Sequence, residues 1–223
     1  MGGNVFKDEP YTMRINKVDV VPTIEWLERL TGLSLMDNIL GTTGKSETSG
    51  DIDVAVDASK IDKQTLVEIL INAGILASNI KKSGDNVHLR TPINGIQGNG
   101  FVQTDFMFGD PKWQHFSMMG GQEESPFTGM HRHLLLSSIA NANGMKWSYK
   151  NGLVHRGTNE EISKDPAEIA NILFNGCADD LMDVESIISK IFGCDEYDTL
   201  VEQFISDISQ DPVEGKHGIP ISE

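Results

Sequence analysis

At 223 residues with 39% apolar side chains, the chain suits one domain with an appended lobe, burying roughly 70% of the surface that its unfolded form exposes. Its 18 Lys+Arg against 33 Asp+Glu leave a net charge of −15 and a pI near 4.7, which excludes a coat that grips nucleic-acid phosphates over its whole surface. No apolar run approaches the about 18 residues that would suggest a membrane span, and the first residues lack a basic-then-apolar signal pattern.

In chain order, the first ten residues are polar with Gly2, Gly3 and Pro10, and read as a loose lead-in. Val21, Ile24, Leu27 and Leu30 recur at helical spacing, and Gly32 supplies the stop. The run Gly41-Thr42-Thr43-Gly44-Lys45-Ser46-Glu47-Thr48-Ser49-Gly50 has no apolar side chain and reads as a loop, followed by a β-prone Ile52–Val56. A helix is expected over Lys63–Ala73, a strand over Asn86–Arg90, a glycine-rich turn, and a stronger strand over Phe101–Phe108. Beyond Pro111, Phe127–Ala142 reads as helix and Lys146–Arg156 as a hairpin turning at Asn151-Gly152. Acidic helical patches follow near Pro166–Phe174, Asp179–Phe192 and Tyr197–Ile208, then a polar tail from Asp211. Helix and strand alternate early and helix dominates late, so the expected fold class is α/β (α+β): a mixed core with a helical C-terminal lobe. Cys177 and Cys194 show neither metal-ligand nor disulfide-framework spacing, so two half-buried free thiols and a cytoplasmic location are expected.

Chemistry concentrates at three places: the Gly/Ser/Thr loop, Asp51-Ile52-Asp53 straight after it, and Asp105 within the later strand. Side chains two apart on a strand share a face, so Asp51 and Asp53 project together while Ile52, Val54 and Val56 face the core. Asp105 stands among apolar neighbours, where a charge needs a partner or a cation. If the two strands pair, three carboxylates converge. Their repulsion favours divalent cations with oxygen-only ligands, Mg²⁺ or Mn²⁺, and two such ions serve phosphoryl or nucleotidyl transfer. Gly41 and Gly44 let backbone N–H groups approach a triphosphate, Thr42, Thr43 and Ser49 offer hydroxyls, and Lys45 offers charge. Asp57 reads as a strand-end carboxylate facing water. His131-Arg132-His133 reads as a solvated face or substrate rim, Trp113, Trp147 and Phe127 as packing, and Asp179, Asp180 and Asp183 as a solvated acidic face.

The run Gly41–Val54 resembles the signature of the DNA polymerase β-like nucleotidyltransferase superfamily, a Gly-Ser opening followed by Ser-Gly-Asp-x-Asp-hydrophobic, and Val102-Gln103-Thr104-Asp105-Phe106 is similar to the strand that carries that family's third carboxylate. Pro126–His131 is similar to the helix facing the incoming base, and Gly144–Leu153 to the thumb hairpin of the polymerase X-like branch. The resemblance implies a nucleotidyltransferase palm with mixed β-sheet over residues 1–112 and a thumb-like, helical region over 113–223, without the N-terminal lyase domain. Asp51 and Asp53 would hold both metal ions, and Asp105 would hold the catalytic one and help deprotonate the acceptor hydroxyl. Gly41, Thr42, Thr43, Lys45, Ser49 and Gly50 would line the triphosphate, with Thr128 near the base or sugar. Lys45 stands where the family has arginine, His131 likewise, and Phe116–Gly121 lacks the family's aromatic pair facing the sugar, leaving the choice of NTP or dNTP open. The expected reaction moves an NMP or dNMP onto an acceptor hydroxyl with release of pyrophosphate. A nucleic-acid 3′-end, which suits the thumb resemblance, is the favoured acceptor. A small molecule or a protein side chain suits the acidic charge, and an inactive nucleotide-binding module is the non-enzymatic alternative. No membrane partner is expected, and the sequence does not specify an oligomeric state.

Overall fold

The computed structural model describes residues 5–120 and 125–210; the glycines of the lead-in, Gly121 and the polar tail from Asp211 lie outside them. Packing divides the chain into a unit that ends at Phe116 and another that begins at Ser117.

The first unit contains β1 (Ile15–Asn16), α1 (Lys17–Thr31), β2 (Thr48–Ser49), β3 (Asp51–Asp57), α2 (Lys63–Asn72), β4 (Ile80–Ser83), β5 (Asn86–Pro92), β6 (Phe101–Gly109) and α3 (Pro111–Ser117), the last running to the boundary. Its main sheet has the order β3-β6-β5-β4, with β3 parallel to β6 and the other pairs antiparallel. Parallel strands need a long crossover, which α2, β4 and β5 supply. The fold class is thus mixed α/β, as the sequence pattern implies.

Alternation splits this sheet into two chemically different faces. Ile52, Val54 and Val56 of β3, Val87 and Leu89 of β5, and Val102, Phe106 and Phe108 of β6 form the apolar face. They pack in one cluster with Val20, Ile24 and Leu27 of α1 and Leu66 and Leu70 of α2. The opposite face carries Asp51, Asp53, His88, Arg90, Gln103 and Asp105. In cross-strand register these form two rows, His88–Asp105–Asp53 and Arg90–Gln103–Asp51.

Two expectations are corrected here. The stripe on α1 is Val20, Ile24, Leu27 and Thr31, whereas Val21 is 48% exposed. The helix begins at Lys17, and positions i, i+4, i+7 and i+11 from Val20 share its inner face. It stops at Gly32, whose N–H still donates to Glu28 O at 2.8 Å while its left-handed φ of 71° turns the following chain out of the helix. Nor is the segment after Asn4 loose. Phe6 is fully buried, Lys81 Nζ donates to Val5 O, and Arg90 donates to Asp8 O and pairs with the Asp8 carboxylate. Arg90 is 2% exposed and needs acceptors, and Phe6, with both cations over its ring at 5.0 and 4.8 Å, covers apolar surface beside it. The polar face of the sheet is therefore partly roofed by residues 5–8.

The second unit contains α4 (Gly129–Ala142), the antiparallel sheet β7 (Met145–Ser148), β8 (Gly152–His155) and β9 (Glu161–Ser163), then α5 (Pro166–Phe174), α6 (Val184–Ile191) and α7 (Asp195–Gln210). The hairpin turns beside Gly152, whose φ is 80°. β9 was not expected, being three residues of mixed polarity with no alternation long enough to read. Phe127 and Trp147 are buried here, and Trp113 in the first unit, in keeping with a packing role.

His131-Arg132-His133 is not a solvated face. His131 and Arg132 are both buried; Arg132 Nε donates to Leu181 O at 2.7 Å and Nη1 to Ser117 O at 3.3 Å. Burial pushes Arg132 down to about 10 and lowers the imidazole of His131. Helical spacing marks which positions share a side, but the carbonyls that make a buried guanidinium tolerable come from chain far away in sequence. In the acidic patch Asp179 is exposed, while two of its neighbours also make backbone contacts. Asp183 caps α6 by accepting from Ser186 N, and Asp180 accepts from Cys177 N, both at 2.7 Å. Cys177 and Cys194 are exposed rather than half-buried, since each sits in a connection instead of within a helix. Among the described residues, no helix is long and apolar enough to cross a membrane.

The phase of α1 is open to a direct check. Leu27→Ala is expected to lower stability by about 2–5 kcal/mol in urea unfolding, whereas Val21→Ala should stay within about 0.5 kcal/mol of the parent.

Candidate metal and phosphate site

Three carboxylates meet on the polar face of the main sheet. In the β3–β6 pair Asp53 lies directly opposite Asp105 and Asp51 opposite Gln103. One oxygen from each of Asp51, Asp53 and Asp105 lies within 4.8 Å of the others. Among the described residues this is the one group of three or more His, Cys, Asp or Glu side chains able to hold an ion. Asp51 and Asp53 are half-buried, and Asp105 is only 6% exposed.

Electrostatics at the trio are unfavourable without a counter-charge. Burial, then the charges of Asp51 and Asp105, push the Asp53 carboxyl up to about 8. Burial and Asp105 also raise Asp51, while the guanidinium of Arg14 acts in the opposite sense. A set of oxygen-only donors, crowded and reluctant to ionise together, matches the needs of a hard divalent cation such as Mg²⁺ or Mn²⁺. These residues therefore fit a divalent cation.

The start of the loop before β3 is tied back to that strand. Leu40 N donates to Asp53 O at 2.9 Å, and Ile39 bridges Val54. Gly41 and Gly44 take left-handed φ values of 61° and 72°; a Cβ on Gly41 would lie 3.9 Å from Asp53 Oδ2, so the loop backbone passes close to the trio. Thr43 Oγ1 accepts from Asp53 N at 3.2 Å, and Ser49 Oγ accepts from Gly44 N at 2.9 Å. Both hydroxyls are buried and hold the loop's shape, while Thr42, Lys45 and Gly50 are exposed along it. Thr128 lies in the second unit, where its side chain caps α4 by accepting from His131 N and its own N–H donates to His131 Nδ1. Asp57, on the same face of β3, accepts from Ser59 and pairs with Lys60 at 3.3 Å at the strand end.

Four neighbours of the trio escape sequence reading. Arg14 clamps β2 through Thr48, with Nε to Oγ1 at 2.9 Å and Nη2 to the carbonyl at 3.0 Å, and its Nη1 lies beside Gly50. It arrives because Ile15 and Asn16 pair with Ser49 and Thr48, a two-residue strand too short to leave a pattern. His88 Nδ1 is 2.7 Å from Asp105 Oδ1, Ser83 Oγ is 2.6 Å from His88 Nε2, and Gln103 Nε2 donates to both Asp105 oxygens at 2.9 and 3.2 Å. The alternation of β5 and β6 was a usable signal for His88 and Gln103, since once Asp105 is placed, same-face residues of neighbouring strands become candidates.

No protein-family profile and no curated relative matches the sequence. A solved structure of Leishmania infantum polymerase beta, a ternary P/T complex, is similar in shape with a TM-score of 0.47 and 17% identity, covering 77% of this chain and 72% of that one. At that distance the functional reading rests on the site itself.

A carboxyl with a raised pKa keeps, in the folded protein, a proton that the unfolded chain gives up near pH 4. The folded state then binds more protons between about pH 4 and the Asp53 value of about 8, so stability falls as pH rises through that window. Asp53→Asn removes this effect. Without divalent cations, the variant should be more stable than the parent at pH 8 by about 1–3 kcal/mol, with the gap closing toward pH 4. Urea unfolding across this range checks the sign; a variant less stable at pH 8 would contradict the repulsion.

Proposed function

We propose that this protein is a metal-dependent nucleotidyltransferase, with residues 1–112 as its palm and 113–223 as a thumb-like region. The observation that carries this reading is the convergence of Asp51, Asp53 and Asp105 directly beside a glycine loop whose backbone is left-handed at Gly41 and Gly44.

In this reading Asp51 and Asp53 hold two Mg²⁺ or Mn²⁺ ions and Asp105 holds one of them. Bound there, the ions supply charge that offsets the crowded carboxylates and the phosphate oxygens of the substrate. The loop from Gly41 to Gly50 presents backbone N–H groups to the triphosphate of an NTP or dNTP, with Thr42 and Lys45 exposed along it and Arg14 at its far edge. Thr43 and Ser49 set the path of the loop by accepting from the N–H groups of Asp53 and Gly44. Asp105 takes up the proton of the acceptor hydroxyl as its oxygen bonds to the α-phosphorus. The bond from that phosphorus to the bridging oxygen breaks and pyrophosphate leaves, so the acceptor gains an NMP or dNMP. Orientation and fixed charge, rather than covalent catalysis by the protein, lower the barrier.

Two acceptor classes separate on the cations. A nucleic-acid 3′-end needs Lys81, Lys82, Arg90, Arg132, Lys146, Lys150 and Arg156 to line a groove. Arg90 and Arg132 are buried on internal acceptors, and Lys81 is tied to Val5 and Asp8. That internal use, together with the net charge of −15, favours the second reading, a hydroxyl on a small molecule or protein.

Labelled NTPs and dNTPs incubated with Mg²⁺ or Mn²⁺, single-stranded and primed oligonucleotides and a panel of small hydroxyl compounds test both. Pyrophosphate release and a labelled acceptor are expected from the parent, falling by about 100-fold or more in Asp53→Asn and in Asp105→Asn. Wild-type turnover in Asp53→Asn would refute the mechanism. In parallel, Mn²⁺ should raise the melting temperature of the parent and leave that of Asp53→Asn nearly unmoved.

A further inference from the structure

We infer that His88, braced by Ser83, is a positioning residue that fixes which lone pairs of Asp105 face a bound cation, with Gln103 as its counterpart on the other side. This rests on the reading of Asp51, Asp53 and Asp105 as cation ligands.

The geometry is a chain across three neighbouring strands. Ser83 on β4 lies 2.6 Å from His88 Nε2, and His88 Nδ1 on β5 lies 2.7 Å from Asp105 Oδ1 on β6, directly opposite it in register. With Nδ1 carrying the proton, the ring donates to Asp105 while Nε2 accepts from the Ser83 hydroxyl. Asp105, whose carboxylate only accepts, calls for the proton on Nδ1, and the Ser83 hydroxyl then donates to Nε2 and holds the ring in place. Gln103 Nε2 donates to the same carboxylate from within β6, and its Oε1 accepts from Val5 N at 2.9 Å. That backbone contact determines which end of the amide faces Asp105, since the flipped amide would set oxygen against oxygen.

Each donor to Asp105 is therefore oriented from behind by a second partner. Oδ1 receives both short bonds, at 2.7 and 2.9 Å, while Oδ2 receives only the 3.2 Å contact from Gln103. The carboxylate cannot swing freely, and the less engaged oxygen is the one left for an ion. Outer partners of this type usually change ion affinity 10–100-fold when removed, because an unbraced ligand must be ordered at the moment of binding. A histidine that merely filled space would need no such chain, and Ser83, which is exposed, would have no reason to complete it.

The test separates the hydrogen bond from the bulk. Nδ1 of His88 lies two bonds beyond Cβ, as does the amide nitrogen of asparagine, so His88→Asn keeps a donor toward Asp105 and His88→Leu does not. Mn²⁺ titration of the purified full chain, read by the EPR signal of the free ion, should give His88→Asn an affinity within about 3-fold of the parent and His88→Leu one weaker by about 10–100-fold. The ring ¹⁵N shifts of His88 in the ion-free parent should report a protonated Nδ1, and Ser83→Ala should shift them and weaken Mn²⁺ several-fold. Melting curves establish that each variant is folded. If His88→Leu does not fold, Ser83→Ala carries the test. Unchanged Mn²⁺ affinity in the folded His88→Leu, or in Ser83→Ala standing in for it, or a parent ring protonated at Nε2, overturns the inference. A parent that takes up no Mn²⁺ through Asp53 instead sinks the cation reading itself, and the role of His88 with it.

Discussion

The parallel pairing of β3 with β6, in the one register that sets Asp53 opposite Asp105, is the constraint on which the rest of this protein depends. Because side chains alternate, the same register places Ile52, Val54 and Val56 beside Val102, Phe106 and Phe108 on the far side. A slip of one residue would drive carboxylates into that cluster and expose its valines. The apolar face therefore secures the polar one. Burial behind the sheet supplies the free energy that holds mutually repelling carboxylates within 4.8 Å of one another.

That arrangement stores an electrostatic conflict. Carboxyls withdrawn from water and set side by side resist ionising, and Asp53 shows it most strongly, with a pKa pushed up to about 8. The structure answers with geometry rather than with a buried cation of its own. Asp105 is steadied by His88 and Gln103, Arg14 acts on Asp51 from the rim, and the glycine loop presents backbone close to Asp53. The strongly basic groups on the same face are directed elsewhere. Arg90 and Lys81 bind the segment at Val5–Asp8, which roofs that side of the sheet. The trio is left with its negative charge available to a hard cation.

The loop shows how small residues divide labour. Thr43 and Ser49 are buried and bond to the backbone of Asp53 and Gly44, so their hydroxyls set the path of the chain, while Thr42 and Lys45 remain exposed along it. The second unit is built on similar local economy: Thr128, Asp165 and Asp183 each cap a helix with a side-chain oxygen, and the buried Arg132 donates from Nε and Nη1 to backbone carbonyls.

Much of this was legible in the residues alone. The alternation Asp51-Ile52-Asp53-Val54-Ala55-Val56 specifies a strand with acids on one face, the glycines at 32, 41 and 44 mark turns, and the apolar periods place the longer helices, because those signals are local and repeat within a few residues. The phase of α1 was misread by one position at Val21, since a stripe near a helix start is fixed by where the first turn begins. Burial of Arg132, the roof formed by Phe6, the clamp by Arg14 and the bracing of Asp105 by His88 and Ser83 left no such trace. Each depends on partners tens of residues away or on strands of two to four residues, where no period can develop. The sequence by itself determined which residues carry acid, hydroxyl and glycine and which face of its strand each would take. Only the tertiary structure decided which strands became neighbours, and so which charges meet and which side chains hold them, because that choice is made by burial across the whole sheet rather than by any one segment.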